Sequence, residues 1–288
     1  MRFLLLLFLI VSCSDETLDR DDLNLKAIYQ EYHLEYNLNN NTVLSEVYFR
    51  TSSTGSYVKL NDADDIYFNI KGDDLTLNEA PRYTLNFKRK QVWFGSKNVP
   101  YYMTEVEVED LSNKKFYWTW YDSETDQDII NEAILPEAEL VCTSHSKDNA
   151  LDTTLTEDLV VTIKEELKEG QTLHMKIINP LYDGSVLYYT FLRSESEDHK
   201  TFKVSSDTIR YDARTDLTTR IEQKKRRYGN LSVDVKTEEI VPVLDSGQNT
   251  YILSFSIEES NSVDSSTGKG GQIYKTVVLP DQEIDIIF

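Results

Sequence analysis

Residues 27–38 alternate between apolar and polar side chains with a period of two. Ile28, Tyr32, Leu34, Tyr36 and Leu38 fall on the even positions, interrupted only by Gln30. Because successive side chains of a strand point to opposite faces, this period puts one face of the segment in a core and leaves the other polar. Tyr101–Asp110 repeats the pattern, with Tyr102, Thr104, Val106 and Val108 opposed to Glu105, Glu107 and Glu109. Similar runs occupy 43–50, 65–70, 82–87, 116–121, 159–164, 172–178, 186–193, 231–235, 251–257 and 273–279. Val, Ile, Tyr, Thr and Phe dominate them, and turn-forming clusters such as Ser52-Ser53-Thr54-Gly55 and Asp183-Gly184-Ser185 separate them. No long amphipathic helix competes; 128–135 and 216–225 are each expected to form a turn or two of helix. Many short strands at this spacing predict an all-β chain built as antiparallel β-sandwiches.

The chain of 288 residues is long enough for two such units. A boundary is expected near Pro136, with β-sandwich domain 1 over 27–136 and domain 2 over 137–288. Each half closes with a hairpin. In the first half, Phe116–Asp122 is followed by an acidic turn and a returning run at 130–135. In the second, 251–257 and 273–279 flank a Ser/Gly-rich turn. Two halves that end alike suggest a distant repeat. The strand pattern resembles the immunoglobulin-like and fibronectin-like modules of bacterial surface proteins, without the disulfide of true immunoglobulin domains.

Before the strands comes a different kind of segment. Arg2 precedes nine apolar residues, Phe3–Val11, and then Ser12 and Cys13. This is the plan of a secretory signal, and it is far shorter than the roughly 20 residues that span a bilayer. Ile10-Val11-Ser12-Cys13 resembles the lipobox of bacterial lipoproteins. The resemblance implies cleavage before Cys13, lipid attachment at its thiol, and a place in the cell envelope, at the outer membrane. Residues 13–26 then read as an acidic tether carrying Asp15, Glu16, Asp19, Asp21 and Asp22. Acids directly after a lipidated cysteine also resemble an export signal to the outer surface.

Charge narrows the partners. The whole chain carries −20, and loss of residues 1–12 with Arg2 makes the mature chain −21. Such a chain is repelled by phosphate backbones, so nucleic acid is not an expected partner. The expected partners are the membrane, through lipidated Cys13, and envelope proteins or glycans. Cys142 is left without a disulfide partner and reads, in Glu139-Leu140-Val141-Cys142, as a buried strand residue.

Few residues carry chemistry. In 116–121 the rings of Phe116, Trp118 and Trp120 share one face, and Tyr117 and Tyr121 the other. Tyr117, Trp118, Trp120 and Tyr121 are therefore candidates for a ligand-binding aromatic surface, one set packing the core and the other facing solvent. Asp122, Glu124 and Asp126 alternate as in a calcium loop, and Asp62 and Asp64 crowd similarly. The EF-hand spacing fails, since Gln127 and Ala133 stand where Gly and Glu are needed. No metal site is assigned, and these five acids remain weak calcium candidates. His33, His145, His174 and His199 lie in no zinc spacing, and no nucleophile, phosphate-loop or dinucleotide motif is present. Lys224-Lys225-Arg226-Arg227 reads as a solvated basic turn. No catalytic residue and no cofactor is expected. The function expected is that of a non-enzymatic, lipid-anchored spacer or binding platform for proteins or glycans; the alternative is a carbohydrate-binding or glycan-processing accessory lipoprotein.

Overall fold

The structure is a computed structural model that describes residues 17–19, 27–61, 64–91, 98–108, 111, 114–123, 125–180, 186–213, 249–263 and 269–288. Cys13, the run at 231–235, the basic cluster at 224–227 and the segment 216–225 lie outside the described residues. Among the described residues the chain is mostly β-strand, in several mainly antiparallel sheets with one short helix at residues 206–213.

The strands of the first half are β1 (Leu18–Asp19), β2 (Tyr29–Asn37), β3 (Thr42–Arg50), β4 (Val58–Lys59), β5 (Ile66–Lys71), β6 (Arg82–Thr84), β7 (Asn86–Gln91), β8 (Asn98–Glu107), β9 (Lys115–Asp122) and β10 (Gln127–Ala133). The second half contributes β11 (Leu140–Thr143), β12 (Leu151–Asp152), β13 (Asp158–Ile163), β14 (Gln171–Ile178), β15 (Val186–Leu192), β16 (Thr201–Ser205), β17 (Asn249–Val263), β18 (Gly271–Val278) and β19 (Gln282–Ile287).

β2 follows the alternation of its sequence, with Gln30, Tyr32, Leu34 and Tyr36 inward and the odd positions half-exposed. Gln30, the one polar break in the pattern, is buried and satisfied: Tyr32 Oη donates to its Oε1 at 2.6 Å, and Asn131 Nδ2 donates to both at 3.2 and 2.9 Å. Burial raises the Tyr32 phenol above its ordinary value. Asn131 belongs to β10, so this network ties two layers together. The layers are the four-stranded sheet β10-β9-β5-β6 and the β2-β3-β8-β7 portion of a ten-stranded sheet. Trp118 packs tilted against Tyr32 at 4.8 Å and donates its Nε1–H to Ser45 Oγ at 2.7 Å, while Trp120 meets Phe49 at 4.8 Å. In the second half the three-stranded sheet β11-β13-β16 lies against the rest of the long sheet, where Phe202 meets Phe191 at 5.6 Å.

The long sheet crosses the Pro136 boundary. β18 pairs with β2 in parallel over eight positions, from Gly271↔Gln30 to Val278↔Asn37. Strands from both sides of Pro136 thus share one hydrogen-bonded sheet, and the buried apolar residues of both halves form one cluster.

Several local expectations change. Residues 128–135 carry two expectations, a turn or two of helix and the returning run of a hairpin; the structure has the second, because pairing with β9 from Gln127↔Asp122 to Ala133↔Phe116 satisfies the backbone as strand. The two closing hairpins differ in place: β9–β10 belongs to the four-stranded sheet and β17–β18 to the ten-stranded one. The acidic tether is not wholly free of the fold, since Leu18–Asp19 add a parallel strand to Val58–Lys59. Cys142 is exposed rather than buried; β11 is an edge strand, and a register shift between Leu140 and Cys142 breaks its alternation.

Candidate functional site

The two tryptophans of β9 are not surface residues. Trp118 and Trp120 are 0% exposed and pack between the layers, so neither meets a ligand from solvent. The alternation leaves Tyr117 and Tyr121 half-buried on the outer face of the four-stranded sheet. There Tyr121 Oη donates to Asp126 at 2.9 Å, and the neighbouring Tyr67 lies under the Arg82 guanidinium at 3.3 Å.

Of the acids nominated for calcium, Asp62 and Glu124 fall outside the described residues. Asp64 and Asp122 come close through Ser123, whose backbone N–H and hydroxyl donate to Asp64 Oδ1 at 3.0 and 2.5 Å. Asn61 N–H donates to Asp64 Oδ2 at 3.1 Å, and Thr125 Oγ1–H to Asp122 Oδ2 at 2.5 Å. These carboxylates hold a turn together. Asp126 is turned away to Tyr121, with φ of 53°. Among the described residues no three His, Cys, Asp or Glu side chains converge as metal ligands.

The long sheet carries a different aromatic row on its outer face, the face opposite the core residues Tyr32, Leu34, Val43 and Val47; Tyr48 is buried within that row. Strand register brings Tyr274 of β18 beside His33 of β2, and His33 beside Glu46 of β3. Tyr274 and His33 stack at 4.8 Å, His33 meets Tyr48 edge-on at 5.4 Å, and Tyr48 stacks on Tyr101 at 5.5 Å. Four rings from four adjacent strands thus form one line across the sheet, spaced by the strand separation itself. Carboxylates brace them: Glu31 Oε1 lies 2.8 Å from His33 Nε2, and Tyr48 Oη donates to Glu46 at 2.7 Å. Burial works to raise Glu31, but the hydrogen bond to His33 and the Arg50 charge hold it below the usual carboxylate range.

Tyr274 is the open end of the row, with 41% of its surface exposed. One face of its ring is covered by His33. On its other side the β17 partner is Ser260, too short to cover a ring, followed along the same face by Ser262 and Glu258. One phenol face, hydroxyls and a carboxylate are therefore presented together, the set that a hydroxylated ring needs. A second group lies further along this face. His174 contacts Glu258 at 3.2 Å, Thr190 at 3.0 Å and Tyr188 at 2.8 Å, and the His174 hydrogen bond holds Glu258 below its ordinary value.

At the opposite end of β2, where the halves meet, a cleft of about 580 Å³ is lined by Tyr36, Leu38, Leu135, Pro136, Lys168 and Val277 among others. A Ser–His–Glu chain also exists. Ser144 Oγ is 2.7 Å from His145 Nδ1, and His145 Nε2 is 2.8 Å from Glu157. Its hydroxyl oxygen accepts from Val160 N–H at 2.9 Å, and its single hydrogen is shared between His145 Nδ1 and the Asp158 carbonyl at 3.2 Å, so it stitches the end of β11 to β13. Neither the outer aromatic row nor this chain is a short motif. Register between distant strands assembles the row, and alternation in β2, with His33 on the polar face, was its one trace in the sequence.

A scan against protein-family models finds no match to this chain, and a search of curated protein sequences likewise finds none.

Proposed function

We propose that the chain is a non-enzymatic, lipid-anchored envelope protein, held by Cys13, whose β-sandwich-like halves display the outer face of the long sheet as a binding platform. The observation that carries this reading is Tyr274, stacked on His33 by one face and 41% exposed, with the short Ser260 as its β17 partner. Glycans are the ligand class this face fits best. An axial C–H face of a pyranose stacks on phenol, while Glu258, Ser260 and Ser262 take its hydroxyls. The buried tryptophans support the platform by holding the layers together and have no contact with the ligand.

The test is a glycan array probed with the purified full chain, followed by titration of the bound glycans. Tyr274→Ala should weaken binding about tenfold, a 1.4 kcal/mol change, and Tyr274→Phe should retain most of it. Saturable binding that ignores both substitutions would remove the platform from this face. Turnover of any ester, peptide or glycan that disappears in Ser144→Ala would replace the non-enzymatic reading altogether.

A further inference from the structure

We propose that the end of the long sheet at which β2 begins is the membrane-facing surface of the protein and seats on anionic lipid headgroups. This rests on anchoring through Cys13. Leu18 is paired with Val58, and its N–H donates to the Tyr57 carbonyl at 3.0 Å. Five residue steps from Cys13 to Leu18 span at most about 18 Å. A lipid at Cys13 therefore keeps β1 and β4 near the bilayer, and with them whatever surrounds β4.

That surrounding is basic in a chain of −20. Lys88, Arg89 and Lys90 are exposed on β7, the outermost strand of the long sheet on this side. Arg50 closes β3 and Lys59 closes β4, and Lys269 donates to the Thr51 carbonyl at 2.6 Å in the turn between those strands. Phe87 sits among them, 38% exposed, with Lys59 Nζ and Arg89 Cζ at 5.9 and 5.7 Å from its ring. Acids share this end: Glu31 is paired with Arg50 at 3.3 Å, Asp64 accepts from Ser123 and Asn61, Asp65 accepts from Tyr67, and the tether around Leu18 carries Asp15, Glu16, Asp21 and Asp22. Asp19 is the register partner of Lys59. Lys88 and Lys90 lie on the opposite face of β7 from Arg89 and from the groove containing Asp64 and Asp65.

An anionic surface attracts clustered Lys and Arg at short range and repels the acidic remainder of the fold; the tether acids stay near the bilayer in every orientation because Cys13 holds them there, so the folded residues choose the end that faces down. β2 then rises from the membrane for about 30 Å, at roughly 3.3 Å per residue, and carries the cleft at Tyr36 and Leu38 to the far end.

The test uses the chain after the proposed cleavage, residues 13–288, with Cys13→Ser so that no acyl chain contributes. Co-sedimentation is compared between phosphatidylcholine vesicles and phosphatidylcholine vesicles containing phosphatidylglycerol. Binding to the anionic vesicles should be at least about tenfold stronger and should vanish at high salt, where the Debye length shrinks to roughly 3 Å. Lys88→Glu, Arg89→Glu and Lys90→Glu together should abolish it. The same charge change at Lys147→Glu, Lys164→Glu and Lys203→Glu should leave binding stronger than in the β7 variant, which separates the patch from net charge. Thermal melts of both variants confirm folding. Equal binding to the two vesicle types, or equal loss in the two triple variants, overturns the proposal. Anchoring is read separately, from the mass of the N-terminal peptide of cell-derived protein. An unacylated Cys13 beside intact vesicle binding would overturn the anchor alone.

Discussion

Gly271 and Gln30 are register partners in the parallel pair that joins the two halves, and a Cβ placed on Gly271 would lie 1.9 Å from the Gln30 carbonyl oxygen. Only a residue without a side chain lets β18 begin its run against β2. Because the obstruction is backbone and not the end of a flexible side chain, the strands themselves must move to relieve it.

Gly271→Ala should therefore destabilise the protein by about 1–3 kcal/mol, the range of overpacked interior sites. A lowered melting temperature is the readout. The loss should be localised, with faster amide exchange at Gln30–Tyr32 than at the β9–β10 hairpin. An unchanged melting temperature would mean that the β2–β18 register is not as described.

The buried tryptophans of β9 should respond unequally to the same change. Trp118→Phe removes the donor to Ser45 and leaves that hydroxyl buried without it. Trp120 Nε1 has no hydrogen-bond partner among the described residues, so Trp120→Phe removes a polar group that was already costly to bury. Both substitutions lose packing, but Trp118→Phe should be the more damaging by about 1 kcal/mol or more. Chemical denaturation of the two variants checks the order.

The halves 27–136 and 137–288, expressed separately, should each show strand-dominated circular dichroism and melt cooperatively. Each should melt below the intact chain, because separation exposes the edges of β2 and β18 and loses their hydrogen bonds. Mixing the two should restore part of the loss. A half that stays molten would place the unit boundary elsewhere than Pro136.

Acid should destabilise the fold through carboxylates held below their ordinary values. Asp198 is lowered by hydrogen bonds from the Ser196 hydroxyl, the Lys200 and Thr201 N–H groups and the Thr201 hydroxyl. Burial alone would raise Glu259, yet Lys275 and Gln171 hold it down. A carboxyl whose folded value is depressed stabilises the protein above its unfolded value and loses that contribution as pH falls through the folded one. Melting temperature should thus be flat above about pH 5 and decline below about pH 4. Asp198→Asn should make the acid limb shallower; a limb of unchanged steepness would assign it to other groups.

The period-two alternation located most of the longer strands, including the inward and outward residues of β2, because side-chain direction in a strand depends only on local backbone geometry; β16 and β19 lay outside the runs it marked. Composition likewise determined that the chain would be acidic and that its cores would be apolar. What the sequence could not express is which strand lies beside which. Parallel pairing of β2 with β18 joins residues some 240 positions apart, and no local period encodes it. The row Tyr274–His33–Tyr48–Tyr101 and the gathering of Arg50 and Lys88–Lys90 at one end follow from that pairing together with the β2–β3–β8–β7 pairings, and the exposure of Cys142 from its edge position. In Phe116–Tyr121 the alternation put Trp118 and Trp120 on one face and Tyr117 and Tyr121 on the other, without saying which face a ligand could reach. Tertiary packing gave its tryptophans to the core, where apolar area is removed from water, and left the binding face to rings that only the sheet brings together.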